Sequence, residues 1–196
     1  MAGTKVDGRT ARRAETRDVI LAAAAELFAA YGVSATSVDD IAERAGTAKG
    51  SVFYNFDSKA GLVHALMERS IERLSSTLAA ETAGLAGLAL HRATVATVLR
   101  EVHTHTDTAR ILVNEIFRTD RSWSETTLAW RQSMLQGLTD DLVRERGEQH
   151  RAECSLYAAG MVGATLTLGL QWLVAEPGLS YEQAREALFA VLHLAD

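Results

Sequence analysis

Between residues 36 and 59 the chain sets hydroxyls, two lysines and an amphipathic ring at short intervals: Thr36-Ser37, Thr47-Ala48-Lys49, Ser51, Tyr54-Asn55 and Lys59. No nucleophile here is paired with a base, and no ligand set for a metal is present. What these residues share is the means to meet anionic oxygens. Hydroxyl and amide groups donate hydrogen bonds, ammonium groups add charge, and Ala48 and Ser51 are small enough for a partner to come close. The chemistry that fits is recognition of a polyanion by contact, without bond-making.

Other reactive residue types lack the spacing their chemistry needs. His103-x-His105, with Asp107 and Glu115 nearby, invites a metal. Two residues apart on a helix, however, the imidazoles point to different faces, whereas a helical site uses a spacing of three or four. Cys154 and Tyr157 have no His–acid arrangement beside them, so nucleophilic catalysis has no basis. Gly160-x-x-Gly163 lies inside an apolar stretch and is no nucleotide fingerprint. No metal, cofactor or enzymatic activity is expected.

The elements that must position the polar set are helices. Residues 1–15 are polar and Arg-rich without periodicity, and read as a flexible basic arm. Thr16 is expected to cap a helix running to Tyr31, with Ile20, Ala24, Leu27, Phe28 and Tyr31 on one face, and Gly32 to stop it. Ser37 and Asp40 form a capping box for a short helix from Val38 to Ala45. After Gly46-Thr47-Ala48, with Thr47 as cap, a third short helix runs to about Tyr54. Two short helices joined by so tight a turn are a helix-turn-helix, which can set one helix in the major groove while the other braces it. Val38, Ile41, Ala45, Val52 and Phe53 form its inner side, and the polar residues its outer one.

Longer helices follow. The fourth spans roughly 58–81, with Leu62, Leu66, Met67, Ile71, Leu74 and Leu78 inward. The fifth carries Val95, Val98, Leu99 and Val102, and a short sixth runs from Ile111 to Phe117. Ser122 and Glu125 are expected to cap the seventh, with Leu128, Leu135, Leu138 and Leu142 inward. The eighth is an uncharged run from Cys154 to Ala175, stopped by Pro177-Gly178. The ninth is capped by Ser180 and Gln183, with Ala184, Leu188, Val191 and Leu192 as its stripe. The eighth is long enough to span a bilayer, but its glycines, threonines and Gln171 favour a packing helix. No strand and no membrane span is expected, and the fold class is all-α with about nine helices.

Composition agrees with a water-soluble globular chain: of 196 residues, 47% are apolar and 23% charged, and there is a single proline. A lone cysteine, Cys154, forms no internal bridge, which points to the cytoplasm. The net charge of −5 hides an asymmetry. Residues 1–59 balance eight basic against eight acidic groups, and the first 17 carry five basic against two acidic. A basic tip on an acidic body is compatible with a polyanion partner.

Residues 33–62, VSATSVDDIAERAGTAKGSVFYNFDSKAGL, together with Leu27-Phe28 and Tyr31-Gly32, resemble the DNA-binding region of the tetracycline-repressor (TetR) family. The resemblance implies a helix-turn-helix head over 16–57 and a ligand-binding and dimerisation domain over 58–196. It implies a homodimeric repressor that holds two related half-sites of a double-stranded DNA operator and is released by a small-molecule effector. Thr36 and Ser37 then sit where the second helix meets phosphate. Thr47, Ala48, Lys49 and Ser51 sit on the recognition helix. Tyr54 and Asn55 take positions of backbone contact, and Lys59 lies at the start of the fourth helix. Phe53 and Asn55 depart from the family's frequent Tyr and its commoner His or Tyr.

The same resemblance places a ligand cavity among the fourth to eighth helices. Leu66, Ile71, Val102, His103, Asn114, Phe117, Arg118, Trp123, Trp130, Met134, Tyr157, Met161, Gln171 and Trp172 are its candidate residues. Three tryptophans and several methionines suit an apolar or aromatic ligand, with Asn114 and Gln171 as orienting polar groups. The dimer is expected through the eighth and ninth helices, about 155–175 and 181–194, where Gly160, Gly163 and Ala164 permit close approach. The competing readings are a DNA-binding regulator without a small-molecule ligand, acting as an activator or under a partner's control, and an all-α metal-dependent module.

Overall fold

A computed structural model describes the backbone of residues 8–116 and 124–195, and the side chains of 11–111 and 135–195. Nine α-helices occur among the described residues and no strand: α1 (Gly8–Tyr31), α2 (Val38–Arg44), α3 (Lys49–Phe56), α4 (Lys59–Glu81), α5 (Gly87–Thr104), α6 (Thr106–Ile116), α7 (Ser124–Arg146), α8 (Arg151–Ala175) and α9 (Tyr181–Val191). They fall into two compact units, Met1–Arg69 and Ser70–Asp196, so α4 contributes its first turns to one and its remainder to the other. The division lies within α4, beyond the sequence boundary at residue 57.

In the first unit, Ile20, Ala24 and Phe28 of α1 are buried with Ile41 and Ala42 of α2, Val52 and Phe56 of α3, and Leu62, Val63 and Leu66 of α4. Helix α1 begins well before the expected cap at Thr16, whose hydroxyl donates to the Arg12 carbonyl inside the helix at 2.9 Å. Apolar periodicity missed these turns because they bury no apolar side chain. Tyr31, assigned to the inner face, is 69% exposed; the core ends at Phe28, one turn earlier. The capping box at Ser37 is formed, with Asp40 N–H donating to Ser37 Oγ and Ser37 N–H to Asp40 Oδ2.

The second unit is a bundle around α8. Leu135, Leu138 and Leu142 of α7, Leu90, Val95 and Leu99 of α5, and Ala184, Leu188 and Phe189 of α9 enclose Ala158, Met161, Val162 and Trp172. Gly169 lets α5 approach closely, since a Cβ there would lie 3.1 Å from Leu99 Cδ1. The Ser180–Gln183 capping box opens α9 as expected. Val191, assigned to the α9 stripe, faces solvent, and Phe189 takes the inward position. The Ser122–Glu125 capping pair and the Leu128 side chain lie outside the described residues. Asp141, almost wholly buried, accepts from Gly87 N–H at 2.9 Å and is paired with Arg144, tying the start of α5 to α7.

Helix α8 is apolar and long enough to cross a membrane by composition, with 33% of its apolar window buried within the chain. It packs against α5, α6, α7 and α9. Its outward face, Leu156, Gly160, Thr167, Gln171 and Val174, carries no charge and is exposed.

Candidate nucleic-acid interface

Helices α2 and α3 are joined by Ala45 to Ala48, with Gly46 at φ 62°, the left-handed turn that glycine adopts without a Cβ penalty. Thr47 is not the cap of α3. The cap is Ala48, and no side chain closes it. Thr47 instead donates its N–H to Ala42 O at 2.9 Å, folding the turn back on α2. With eight residues, α3 has room for one buried stripe, Val52 and Phe56, four apart. Phe53, expected inside, lies about 100° round the helix from Val52 and is 41% exposed.

The outward side of α3 presents Ala48, Lys49, Gly50 and Tyr54 to solvent, with Ser51 and Asn55 half-buried at its margin. Lys49 Nζ pairs with Asp39 Oδ2 at 2.8 Å, both ends exposed. Such a surface pair is worth little, so the ammonium can turn to a phosphate or base edge at small cost. Tyr54 is 71% exposed. Asn55 is turned inward: its Nδ2 donates to Ser51 O at 2.8 Å, and its Oδ1 is buried without a protein partner.

At the start of α2, Ser37 stays exposed, with its hydroxyl and its N–H both donating to Asp40 Oδ2 at 2.7 and 2.9 Å. Thr36 is not: it is buried, and its hydroxyl lies within reach of the carbonyls of Gly32 at 2.9 Å and Leu27 at 3.3 Å. Its N–H also points back into the chain, donating to Gly32 O at 3.3 Å. Lys59 reaches back from α4 to donate to Thr36 O at 2.9 Å and Ser34 O at 3.3 Å. Its charge therefore stands behind the entry to α2 and holds that loop in place. Arg44 pairs with Glu26, and Arg69 with Asp18, bracing α1 against α2 and α4.

In the second unit a cleft of about 40 Å3 lies among α4, α5, α6 and α8. Leu74, Val98, Val102, Ala109 and Leu166 make its apolar wall; Arg73, Glu101 and His105 make its polar side. Arg73 Nε donates to Glu101 Oε2 at 3.0 Å. Burial, then the neighbouring Arg73 charge, lowers the His105 pKa against the opposing pull of Glu101.

Of the sequence's cavity candidates, Val102 lines this cleft. Ile71 is half-buried and packs beside Leu74 and Leu78. Leu66 belongs to the first unit. Met161 and Trp172 are core, and Trp172 Nε1 donates to Leu179 O at 3.0 Å. His103 is exposed and stacks on Trp172 at 5.1 Å, Tyr157 is exposed under Arg146, and Gln171 points to solvent. None of these three lines the cleft: Tyr157 and Gln171 are on exposed helix faces, and His103 packs on Trp172 and beside Tyr181. Phe117, Arg118 and Trp123 lie outside the described residues, as do the side chains of Asn114, Trp130 and Met134.

Residues 20–66, spanning the buried stripe of α1, the helix-turn-helix and the first turns of α4, match the model of the family "Bacterial regulatory proteins, tetR family". These residues are a DNA-binding region of that family. Among TetR-family relatives, the HTH-type transcriptional repressor KstR2 of Rhodococcus jostii is 40% identical over 67 residues, covering 34% of this chain and 31% of that one. The HTH-type transcriptional activator FasR of Mycolicibacterium smegmatis is 27% identical over 177 residues, 88% of this chain and 78% of the relative. The structure of the fatty acid degradation regulator FadR from Bacillus halodurans superposes with a TM-score of 0.76 at 16% identity, covering 90% of this chain and 94% of that one. That likeness shows the fold.

Within this TetR-family head, sequence reasoning passed over two glycines and gave two arginines to a flexible arm, without their contacts to α3. At Gly61, a Cβ would stand 2.0 Å from the Phe56 carbonyl oxygen, so only glycine lets α4 start so close to the end of α3. Gly50 leaves the outward face of α3 open, with nothing within 4 Å of where its Cβ would be. Arg13 lies over the Tyr54 ring at 5.1 Å, and Arg17 over Phe56 at 4.5 Å. No periodic signal marks these contacts.

Proposed function

We propose that the chain is a homodimeric transcriptional repressor that holds an operator through α3 and leaves it when a small, largely apolar ligand enters the second unit. The observation that carries the DNA part is the two-sided α3. Val52 and Phe56 anchor it, and Ala48, Lys49, Gly50 and Tyr54 on the opposite side are exposed. Two such heads, one per protomer, would meet successive major grooves at roughly 34–36 Å spacing. KstR2 is a repressor and FasR an activator, so the direction of control is read from reporter output on the bound promoter. A protein acting on bacterial DNA works in the cytoplasm.

The uncharged outward face of α8, with Gly160 at its centre, and the neighbouring α9 support a dimer through these two helices. Small residues let helix backbones approach closely, and a twofold contact repeats the same patch on both subunits. The cleft supports the ligand part. Its apolar wall and its Arg73–Glu101–His105 side suit an amphipathic molecule, and its present size means that an effector has to open it. Ser70, Arg73 and Leu74 of α4 line the cleft, while Lys59 and Gly61 of the same helix belong to the head. Displacement of α4 by ligand would favour the form that does not bind DNA.

Lys49→Ala and Tyr54→Ala should each cut affinity for a duplex selected by the wild-type protein, with the dimer intact by light scattering. Unchanged binding in both variants sinks the assignment of α3. The small cleft also favours a second reading, a regulator under a partner's control. A thermal-shift screen of amphipathic small molecules, run beside the DNA-binding assay, separates the two: a compound that raises the melting point and releases DNA supports the ligand reading.

A further inference from the structure

Along α1 a single stripe at helical spacing joins Arg13, Arg17, Ile20, Ala24 and Phe28. From Ile20 onward it is core. Before Ile20 it is cationic, and residues 11–15 are all exposed. Hydrophobic burial therefore does not account for these turns lying against α3. Polar and ring contacts do: Arg17 Nη1 donates to Asn55 O at 3.1 Å and its guanidinium covers Phe56, while Arg13 covers Tyr54. The expected flexible arm is, from Gly8 on, a helix that delivers arginines to the side of the recognition helix.

Between these turns and α3 lies an open groove of about 600 Å3, lined by Arg12, Arg13 and Thr16 on one side and Gly50, Ser51, Tyr54 and Asn55 on the other. Among the described residues no carboxylate lines it. Asp18, farther along α1, is already bound by Arg69 at 2.7 Å. Gly50 keeps the floor free of side-chain bulk, and Ser51 and Tyr54 bring hydroxyls. Guanidinium groups and hydroxyls on facing sides, with no carboxylate among the described lining residues, match a phosphodiester, which arginine binds bidentately. We propose that this groove seats a backbone phosphate of the DNA duplex that receives α3, with Arg12 and Arg13 as its cationic ligands and Arg17 as the residue that positions the helix carrying them. The inference rests on the reading of α3 as the DNA-facing helix. It adds a contact that positions the head on the duplex without reading its sequence.

The test compares the wild type with Arg12→Gln/Arg13→Gln on a duplex recovered by binding-site selection with the wild-type protein, by fluorescence anisotropy from 50 to 200 mM KCl. Each phosphate contact adds about 0.9 to the slope of log affinity against log salt. The double variant should lose about 0.9 of slope per subunit and bind about tenfold more weakly at 100 mM, with the order of preference among selected duplexes unchanged. Arg12→Lys/Arg13→Lys should restore the slope, which a merely structural role would not predict. Should the glutamine pair melt early, Arg12→Gln alone carries the same expectation at half the loss of slope. Wild-type affinity and slope in the glutamine variants overturn the inference while leaving α3's role intact. A wild-type protein that selects no duplex overturns both.

Discussion

Replacing Gly61 with alanine tests how the head is assembled. The added Cβ would lie 2.0 Å from Phe56 O and 3.1 Å from Phe56 C. Nonbonded carbon contacts settle near 3.5–4.0 Å, so the two groups must separate by more than about 1 Å. The obstacle is backbone, not the free end of a side chain. It belongs to a buried residue whose carbonyl also accepts the Ser58 N–H. Overpacking of this kind costs about 1–3 kcal/mol. Alanine's advantage over glycine inside a helix recovers at most about 1 kcal/mol, and less in the first turn, where Gly61 sits. The net destabilisation is about 1–2 kcal/mol, a fall of about 2–8 °C in the melting temperature of a chain this size. Calorimetry would read the transition of the head, and anisotropy with a selected duplex its DNA affinity, which should fall with it because Phe56 anchors α3. A variant as stable as the wild type, or more so, would refute the close approach.

Other perturbations bear on single features. Ser37→Ala removes the cap of α2 and should cost about 1 kcal/mol. The hydrogen bonds from the Ser37 side chain and backbone hold the Asp40 pKa below its ordinary value. Their contribution is therefore present at neutral pH and lost as pH falls through the depressed value; Ser37→Ala should flatten that acid limb in pH-dependent melting. His105 has a lowered pKa, so the unfolded chain takes the proton first and stability drops as pH falls below about 6.5. His105→Gln should reduce that loss in urea titrations. Gly160→Arg meets no atom within 4 Å in the single chain, so the fold should persist while light scattering reports monomer; a dimeric variant would move the interface away from α8.

Much of the fold was legible because its signals are local. The capping boxes at Ser37–Asp40 and Ser180–Gln183 are side chain-to-backbone bonds three residues apart, and the stripes of α4, α5 and α7 follow the period of the helix itself. What escaped depends on distance along the chain. The first turns of α1 are held by Arg17 to Asn55, 38 residues away, and no periodicity records a contact of that kind. In an eight-residue helix, pattern alone put Phe53 in the core, where the structure buries Phe56. Thr36 reads as a surface hydroxyl until α1 supplies carbonyls behind it. Gln171 looked buried because its neighbours are apolar, yet apolar residues also cover the outward side of α8. Gly61 carries no pattern; its meaning lies in one carbonyl oxygen.

Lys59 and Gly61 sit two residues apart at the start of α4 and grip different parts of the head. The lysine holds the carbonyls ahead of α2, and the glycine is seated against the last carbonyl of α3. A shift of the start of α4 would thus be passed to both helices together. The reading surface would travel as a block and keep its own shape. An effector acting through α4 should then weaken binding to every operator by the same factor, so that a strong site stays stronger than a weak one at any ligand concentration. Graded control over a set of promoters would be built into the order of their affinities, with no second signal needed to rank them.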